Sequence, residues 1–142
     1  MGDPVDDRLL NILLVEDDEV DVMNVKRAFQ KNHITNPLFV AGNGLEALEL
    51  LRGGSIPKER RIVLLDLNMP KMNGIEFLRE LRADPALGGT PVVVLTTSNA
   101  EQDKVQAYNL NVAGYLLKPV TFANFCDVMA ALNKYWALVE MP

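Results

Sequence analysis

The chain has 142 residues, with 14 basic and 19 acidic side chains and a formal net charge of −5. That length suits one domain with a single sizeable core, and the negative charge argues against a non-specific nucleic-acid binder, which would present a basic face. The single cysteine, Cys126, excludes an internal disulfide, and no apolar run is long enough to cross a bilayer. The start of the chain is unlike a signal peptide, so a cytoplasmic protein is expected.

Residues 1–8 are expected to form a loose tail, and short apolar runs then alternate with segments of helical periodicity. In chain order, the predicted elements are strand Asn11–Val15, helix Glu19–Lys31, strand Pro37–Val40, a helix from Leu45 to Gly53, strand Ile62–Leu65, a helix capped by Asn73 that ends near Asp84, strand Pro91–Leu95, helix Ala100–Asn109, strand Gly114–Leu117 and helix Thr121–Val139. This alternation predicts an α/β fold, a doubly wound parallel sheet of five strands with helices on both faces.

Polar side chains follow four of these strands, where each apolar run ends. They are Glu16, Asp17, Asp66, Thr96 and Lys118. Because the carboxyl ends of parallel strands share one edge of the sheet, these side chains should converge there.

The most informative stretch runs from Ile62 to Gly74, where four branched apolar residues lead into Asp66. A carboxylate at the end of a buried strand is unfavourable unless charges or hydrogen bonds meet it. Clustered carboxylates favour a hard cation such as Mg²⁺. Together with a lysine and a hydroxyl they suit phosphoryl transfer, in which an aspartate is the nucleophile and becomes an aspartyl phosphate.

Four motifs, each at a strand end, together resemble the receiver domain of two-component response regulators. They are Leu14–Asp18, Leu64–Pro70 with Gly74, Pro91–Thr96 and Tyr115–Pro119, and the resemblance extends from about Leu10 to Ala137. It implies a flavodoxin-like fold with strand order 2-1-3-4-5. It also implies a single-domain regulator in which residues 9–142, including an extended last helix, form the receiver, with no output domain.

The resemblance implies that Asp66 accepts a phosphoryl group from a histidine kinase, in a reaction that the receiver itself catalyses along with dephosphorylation. Glu16, Asp17 and Asp66 would bind Mg²⁺, with the backbone carbonyl of Asn68 as a further ligand. Lys118 would bind the phosphoryl group, and its bond to Pro119 is expected to be cis.

Three further roles follow from the same resemblance. Thr96 would be the switch hydroxyl and Tyr115 the switch aromatic, while Asn68 and Ser98 would tune dephosphorylation. Thr97 competes with Thr96 for the switch role, and Tyr115 has the alternative of simply packing as a half-buried aromatic residue.

The last helix carries two apolar stripes, although one helix lying on one sheet needs only one. The first comprises Phe122, Phe125, Met129, Leu132 and Trp136, and the second Val128, Ala131, Tyr135 and Leu138. A second exposed stripe is typical of a partner surface, so a homodimer through this helix is expected. The alternative is that the second stripe packs on a neighbouring helix of the same chain.

The upstream partner is expected to be a sensor histidine kinase or a phosphotransfer protein, with no role for nucleic acid or membrane. Residues Asp21–Phe29, Asn43–Leu48 and Leu95–Ser98, with the charged loop before Arg61, also resemble single-domain regulators paired with bacterial phytochromes. That resemblance implies a light-sensing kinase.

Three other functions compete with this interpretation. A haloacid-dehalogenase-like phosphatase needs a second acid two residues after the nucleophile, where this chain has Asn68. A flavodoxin needs a phosphate-binding loop after the first strand, where the acids Glu16 and Asp17 would repel phosphate. A receiver that has lost phosphorylation and acts only as a scaffold is the third.

Overall fold

The computed structural model describes residues 9–31, 33–69 and 71–118, together with residues 124, 127, 128, 130, 131 and 134. In order, the elements are β1 Asn11–Val15, α1 Glu19–Lys31, β2 Leu38–Ala41, α2 Gly44–Arg52, β3 Arg61–Leu65, α3 Gly74–Ala83, β4 Val92–Thr96, α4 Glu101–Asn109 and β5 Gly114–Leu117. The six described residues beyond Lys118 are helical and lie within the range predicted for the last helix.

The five strands form one parallel sheet in the order β2-β1-β3-β4-β5. This confirms the predicted flavodoxin-like topology. β1 and β3 lie inside the sheet and are buried on both faces, which explains why their sequences are nearly continuous runs of branched apolar residues. The order also places the carboxyl end of β1 beside that of β3, and the carboxyl end of β4 beside that of β5.

Two apolar clusters cover the two faces of the sheet, as alternation along each strand requires. Within β1, Leu13 and Val15 pack with residues of α2, α3 and α4, whereas Ile12 and Leu14 pack with residues of α1. Helices therefore cover both faces, as predicted. Among the described residues, none belongs to a helix long and apolar enough to span a membrane.

β2 and β4 each begin and end one residue later than predicted. The carbonyl of Ala41 accepts a hydrogen bond from the N–H of Glu16 at 2.9 Å, and the carbonyl of Thr96 accepts one from the N–H of Lys118 at 2.8 Å. Pairing with the neighbouring strand thus extends each ladder beyond its apolar run. Thr96 is consequently the last residue of β4, not the first residue after it.

The start of α3 fixes the loop that follows β3. Asn73 is its N-cap, as predicted, and forms a capping box in which its side chain and that of Glu76 each accept a backbone N–H bond. Gly74 lies so close to this loop that a Cβ atom there would be 2.6 Å from the Cα of Leu67 and 2.7 Å from the carbonyl oxygen of Asp66. The helix can approach Asp66 this closely only because residue 74 has no side chain.

The opposite edge of the sheet is fastened by Arg82 near the end of α3. Its guanidinium donates to four backbone carbonyls, those of Gly88, Thr90, Leu110 and Asn111, at 2.6–3.1 Å. Burial lowers the pKa of Arg82, but these acceptors satisfy its donors. The loops that precede β4 and β5 are thereby tied to α3.

Two predictions about prolines fall outside the described residues. Pro70 has no N–H to donate and is expected to end the third strand, and Pro119 is expected to form a cis bond with Lys118; neither proline is described. Both remain predictions.

We predict that Gly74→Ala lowers the free energy of unfolding by about 1–3 kcal/mol, because the new methyl group meets backbone atoms that cannot move aside freely. Urea unfolding followed by circular dichroism measures the change. Gly42→Ala is the matched control, since a Cβ there would be 3.5 Å from the flexible Glu46 carboxylate. Equal stability of the two variants would contradict the close approach at Gly74.

Candidate functional site

The carboxyl edge of the sheet brings together polar residues from four strand ends. Glu16 follows β1, Asp66 follows β3, Thr96 ends β4 and Lys118 follows β5. Glu16, Asp66 and Thr96 are at most 7% exposed, which is unusual for polar side chains and especially for carboxylates. Each therefore needs a partner within the protein.

Asp66 receives donors on both of its carboxylate oxygens. Its Oδ1 accepts hydrogen bonds from the Thr96 hydroxyl at 2.8 Å and from the backbone N–H of Asn68 at 3.1 Å. Its Oδ2 lies 3.4 Å from the ammonium nitrogen of Lys118. Asp66 is thus held at the centre of the site by groups from three different strand ends.

Three acids form a group that could hold a metal ion. One carboxylate oxygen from each of Glu16, Asp17 and Asp66 lies within 4.8 Å of the others. All the donors are oxygens, and Asp17 is exposed, so one side of the group is open to water. This donor set fits a hard divalent cation that keeps some of its water ligands.

Lys118 is the cation that faces these acids. Its ammonium group donates to the carboxylates of Glu16, Asp21 and Asp66, with the Asp21 contact at 2.8 Å. Burial alone would lower the pKa of Lys118, but the hydrogen bonds that its ammonium donates to Asp21 and Glu16 outweigh burial and raise the pKa above its usual value. Lys118 therefore carries its charge at neutral pH.

Glu16 lies deepest among the acids. Burial raises its pKa to about 7, and the neighbouring charge of Asp66 adds to that effect, whereas the hydrogen bond from Lys118 opposes it. The carboxylate of Glu16 thus depends on Lys118, or on another cation in its place, to remain ionised in this buried position.

The two adjacent threonines have different surroundings. Thr96 is fully buried and its hydroxyl donates to Asp66, whereas Thr97 is exposed and its hydroxyl only accepts a 3.4 Å bond from the side chain of Asn68. Of the two, Thr96 is the one in contact with Asp66.

A chain of hydrogen bonds leads from Thr96 to the surface. The backbone N–H of Ser98 donates to the Thr96 hydroxyl at 3.3 Å, and the Tyr115 hydroxyl donates to the carbonyl of Ser98 at 2.9 Å. The Ser98 hydroxyl donates to the carboxylate of Asp103 in α4. Tyr115 is half-buried and packs against the core. Its ring therefore packs as an ordinary half-buried aromatic residue would, and its hydroxyl is also linked to Thr96 through Ser98.

Two residues of this arrangement, Asp21 and Asp103, are not among the site residues predicted from the sequence. Asp21 lies in the first turn of the helix that directly follows Glu16 and Asp17, and that position could have placed it near the same edge. Asp103 lies in the first turn of α4, where an acid is ordinary for any helix, so no signal in the sequence distinguished it.

The fold is that of a receiver domain. Residues 12–130 match the response regulator receiver domain family, and the chain belongs to that family. Receiver domains are phosphoacceptor signalling domains that bind a divalent metal ion and interact with histidine kinases. This membership decides against the phosphatase and flavodoxin alternatives.

Several relatives cover nearly the whole chain. It is 38% identical over 130 residues to the probable methanogenesis regulatory protein FilR2 of Methanothrix harundinacea, which covers 88% of this chain and 82% of FilR2. It is 36% identical over 128 residues to the response regulator Rcp1 of Synechocystis, with 88% and 87% covered.

Solved structures of response regulators superpose on nearly the whole chain. The Mn²⁺-bound form of Rcp1 superposes with a TM-score of 0.74 at 35% identity, covering 94% of this chain and 99% of that one. The phosphorylated cyanobacterial phytochrome response regulator RcpA superposes with a TM-score of 0.76 at 32% identity, again covering 94% and 99%.

We predict that Thr96→Val destabilises the fold by about 1–3 kcal/mol at neutral pH, because it removes a donor from the buried carboxylate of Asp66. Thr97→Val is the matched control and should change the free energy of unfolding by less than about 0.5 kcal/mol. Chemical unfolding of both variants measures the difference. A larger loss in Thr97→Val would show that the wrong threonine faces Asp66.

Proposed function

We propose that this chain accepts a phosphoryl group from a histidine kinase onto Asp66 in a Mg²⁺-dependent reaction, and that it signals through the surface change that follows. Residues 9–142, including the last helix, would form this receiver. The observation that carries the proposal is the placement of Asp66, whose carboxylate meets Thr96 and Lys118 while two further acids stand beside it.

Asp66 is the nucleophile in this proposal. One of its carboxylate oxygens attacks the phosphorus of the phosphohistidine, the P–N bond breaks, and the imidazole leaves with the electron pair. Glu16, Asp17 and Asp66, with the backbone carbonyl of Asn68, would hold the Mg²⁺. When bound, the metal ion offsets negative charge on the phosphoryl oxygens.

Two other side chains of the site would bind the phosphoryl group once it is on Asp66. Lys118 and Thr96 already donate to Asp66, so each is within reach of oxygens added to that carboxylate. An ammonium and a hydroxyl aimed at the site of developing charge stabilise it without having to reorganise. On this basis the domain itself catalyses the transfer and, with water as acceptor, the later hydrolysis.

The proposed switch uses the hydrogen bonds that start at Thr96. A phosphoryl oxygen would compete with Asp66 Oδ1 for the Thr96 hydroxyl, and Ser98 donates to that same hydroxyl. Ser98 in turn accepts the bond from Tyr115, so a shift of Thr96 is passed to the surface of β5. Asn68 and Ser98 flank the carboxylate and the hydroxyl, which supports their proposed influence on dephosphorylation.

We predict that acetyl phosphate with Mg²⁺ adds one phosphoryl group to the protein and that Asp66→Asn abolishes this gain, since an amide is not a competent nucleophile. Intact mass spectrometry, with and without Mg²⁺, measures it. Asp84→Asn, at the far end of α3, is the control and should still be labelled. Labelling of Asp66→Asn at the same site would refute the assignment. No gain in the wild type would favour the scaffold function or a requirement for the cognate kinase.

Two partners are proposed for the signalling cycle. The upstream partner is a sensor histidine kinase, or a phosphotransfer protein carrying its phosphoryl group. The names of similar proteins, which include a cyanobacterial phytochrome response regulator and bacteriophytochrome response regulators, support a phytochrome-type kinase. The second partner is another copy of this chain, bound through the last helix.

Two residues of the second apolar stripe are described, and their exposure is relevant to the proposed dimer. Val128 is half-buried and Ala131 is exposed, so the stripe is at least partly accessible in the single chain. The first stripe, and Tyr135 and Leu138 of the second, lie outside the described residues. Ala130, also exposed, belongs to neither stripe.

We predict that the protein sediments as a dimer at tens of micromolar and that Ala131→Glu converts it to a monomer, because a charge would be buried in an apolar contact. Ala130→Glu, one residue away and turned by roughly 100° around the helix, should leave the dimer intact. Sedimentation velocity measures both. A monomeric wild type would remove the dimer proposal.

A further inference from the structure

Lys118 contacts an acid that does not belong to the metal-binding group. Its ammonium donates to Glu16, Asp21 and Asp66, whereas the candidate metal group consists of Glu16, Asp17 and Asp66. Asp21 is therefore a partner of the lysine alone. The following inference rests on the proposed function, because it concerns how Lys118 is held at the proposed phosphoryl site.

The donors of Lys118 are fully used in this arrangement. An ammonium has three N–H groups, and three carboxylates stand around it. The Lys118 side chain is only 12% exposed, so a donor that loses its carboxylate has little access to water. Lys118 can therefore leave one partner at low cost only if another anion keeps it neutralised.

Glu16 is the acid over which two cations compete. It accepts from Lys118, and it also belongs to the group whose oxygens fit a divalent cation. A carboxylate that turns an oxygen towards a divalent cation offers less charge to a neighbouring ammonium. Whatever Lys118 loses at Glu16 has to be compensated elsewhere.

Asp21 is placed to provide that compensation. It lies in the first turn of α1, which is fixed at its start because Asp18 Oδ1 accepts the backbone N–H bonds of Val20 and Asp21. Its carboxylate is 2.8 Å from Lys118, closer than that of Asp66 at 3.4 Å, and its side chain is 36% exposed. Asp21 can thus keep its bond to Lys118 without itself moving into the metal-binding group.

We propose that Asp21 is a positioning residue that retains Lys118 when Glu16 turns to the metal ion, so that the domain can bind the metal without leaving a buried ammonium unpaired. Asp21 acts through Lys118 in this role. It also keeps the ammonium at the edge of the sheet next to Asp66, where the phosphoryl group is to be received.

A simple charge effect would also make Asp21 favour a cation nearby, so the experiment has to separate the two explanations. A double-mutant cycle with Lys118 does so, because an effect that acts through the lysine disappears when the lysine is absent, whereas direct attraction of the metal ion persists. Lys118→Met removes the ammonium and keeps most of the side-chain volume.

The test is titration calorimetry of Mg²⁺ onto unphosphorylated wild type, Asp21→Asn, Lys118→Met and the double variant. We expect Asp21→Asn to weaken Mg²⁺ binding about fivefold in the wild-type background, a loss within the range of one ordinary intramolecular hydrogen bond. In the Lys118→Met background, the same substitution should change the affinity by less than about twofold. Asp21→Glu should restore most of the affinity.

Glu19→Gln is the charge-matched control, since Glu19 is an exposed acid in the same helical turn as Asp21. It should stay within about twofold of the wild type, because an exposed charge is screened by solvent and salt. An equal loss for Asp21→Asn with and without Lys118, or a loss no larger than that of Glu19→Gln, would overturn the proposal.

A second measurement covers the case in which Lys118→Met does not fold. Nuclear magnetic resonance of the Lys118 Cε–Hε group in wild type and Asp21→Asn reports how far Mg²⁺ disturbs the lysine. A larger Mg²⁺-induced shift in Asp21→Asn supports retention by Asp21, and equal shifts contradict it. Neither measurement involves phosphorylation, so failure of this inference and failure of the proposed phosphoryl transfer are distinguishable.

Discussion

The contact between Lys118 and three carboxylates is the interaction on which the site depends. Glu16 and Asp66 are buried at the ends of adjacent strands, where their charges repel and neither is well hydrated. Without a cation between them, the edge would favour protonated acids or a more open structure. Burial raises the pKa of Glu16 to about 7 although Lys118 donates a hydrogen bond to it, so desolvation strongly opposes ionisation of this carboxyl group. The ammonium, delivered from the end of β5, therefore holds the edge together as well as facing the proposed phosphoacceptor.

The same constraint explains why the edge suits a reversible signal. An arrangement of acids that needs cations is sensitive to any change in charge, whether from a divalent ion or from a phosphoryl group on Asp66. The opposite edge shows the contrast, since among the described residues the guanidinium of Arg82 donates to backbone carbonyls and not to carboxylates. The amino edge is therefore held by hydrogen bonds to the backbone, whereas the carboxyl edge is held by contacts between charged side chains. Burial of charge without permanent pairing is typical of functional sites and reduces stability.

The hydrogen bonds beyond Asp66 offer a physical route out of the site. Thr96, Ser98 and Tyr115 form a continuous series from the buried carboxylate to the surface of β5, and Asp103 connects Ser98 to α4. Each step is a direct hydrogen bond, so the series is physically continuous. Receiver domains are phosphoacceptor signalling domains. Under the proposed function, a change at Asp66 would reach α4 and β5 along this series.

Much of this protein was determined by its sequence alone. The apolar runs of β1, β3 and β4, the cap at Asn73 and the strand-end placement of the site residues are local features. Periodicity and turn chemistry therefore sufficed to predict the parallel sheet and its polar edge. Only the tertiary structure decided the ends of β2 and β4, because ladder hydrogen bonds with neighbouring strands extend them by one residue.

The tertiary structure also decided that Thr96 and not Thr97 contacts Asp66, and that Asp21 and Asp103 join the site. Their partners are Lys118, 97 residues away from Asp21, and Ser98 in a preceding loop. Such contacts depend on how α1 and α4 are set against the sheet. The position of Asp21 in the sequence could have placed it near the edge, but not in contact with Lys118.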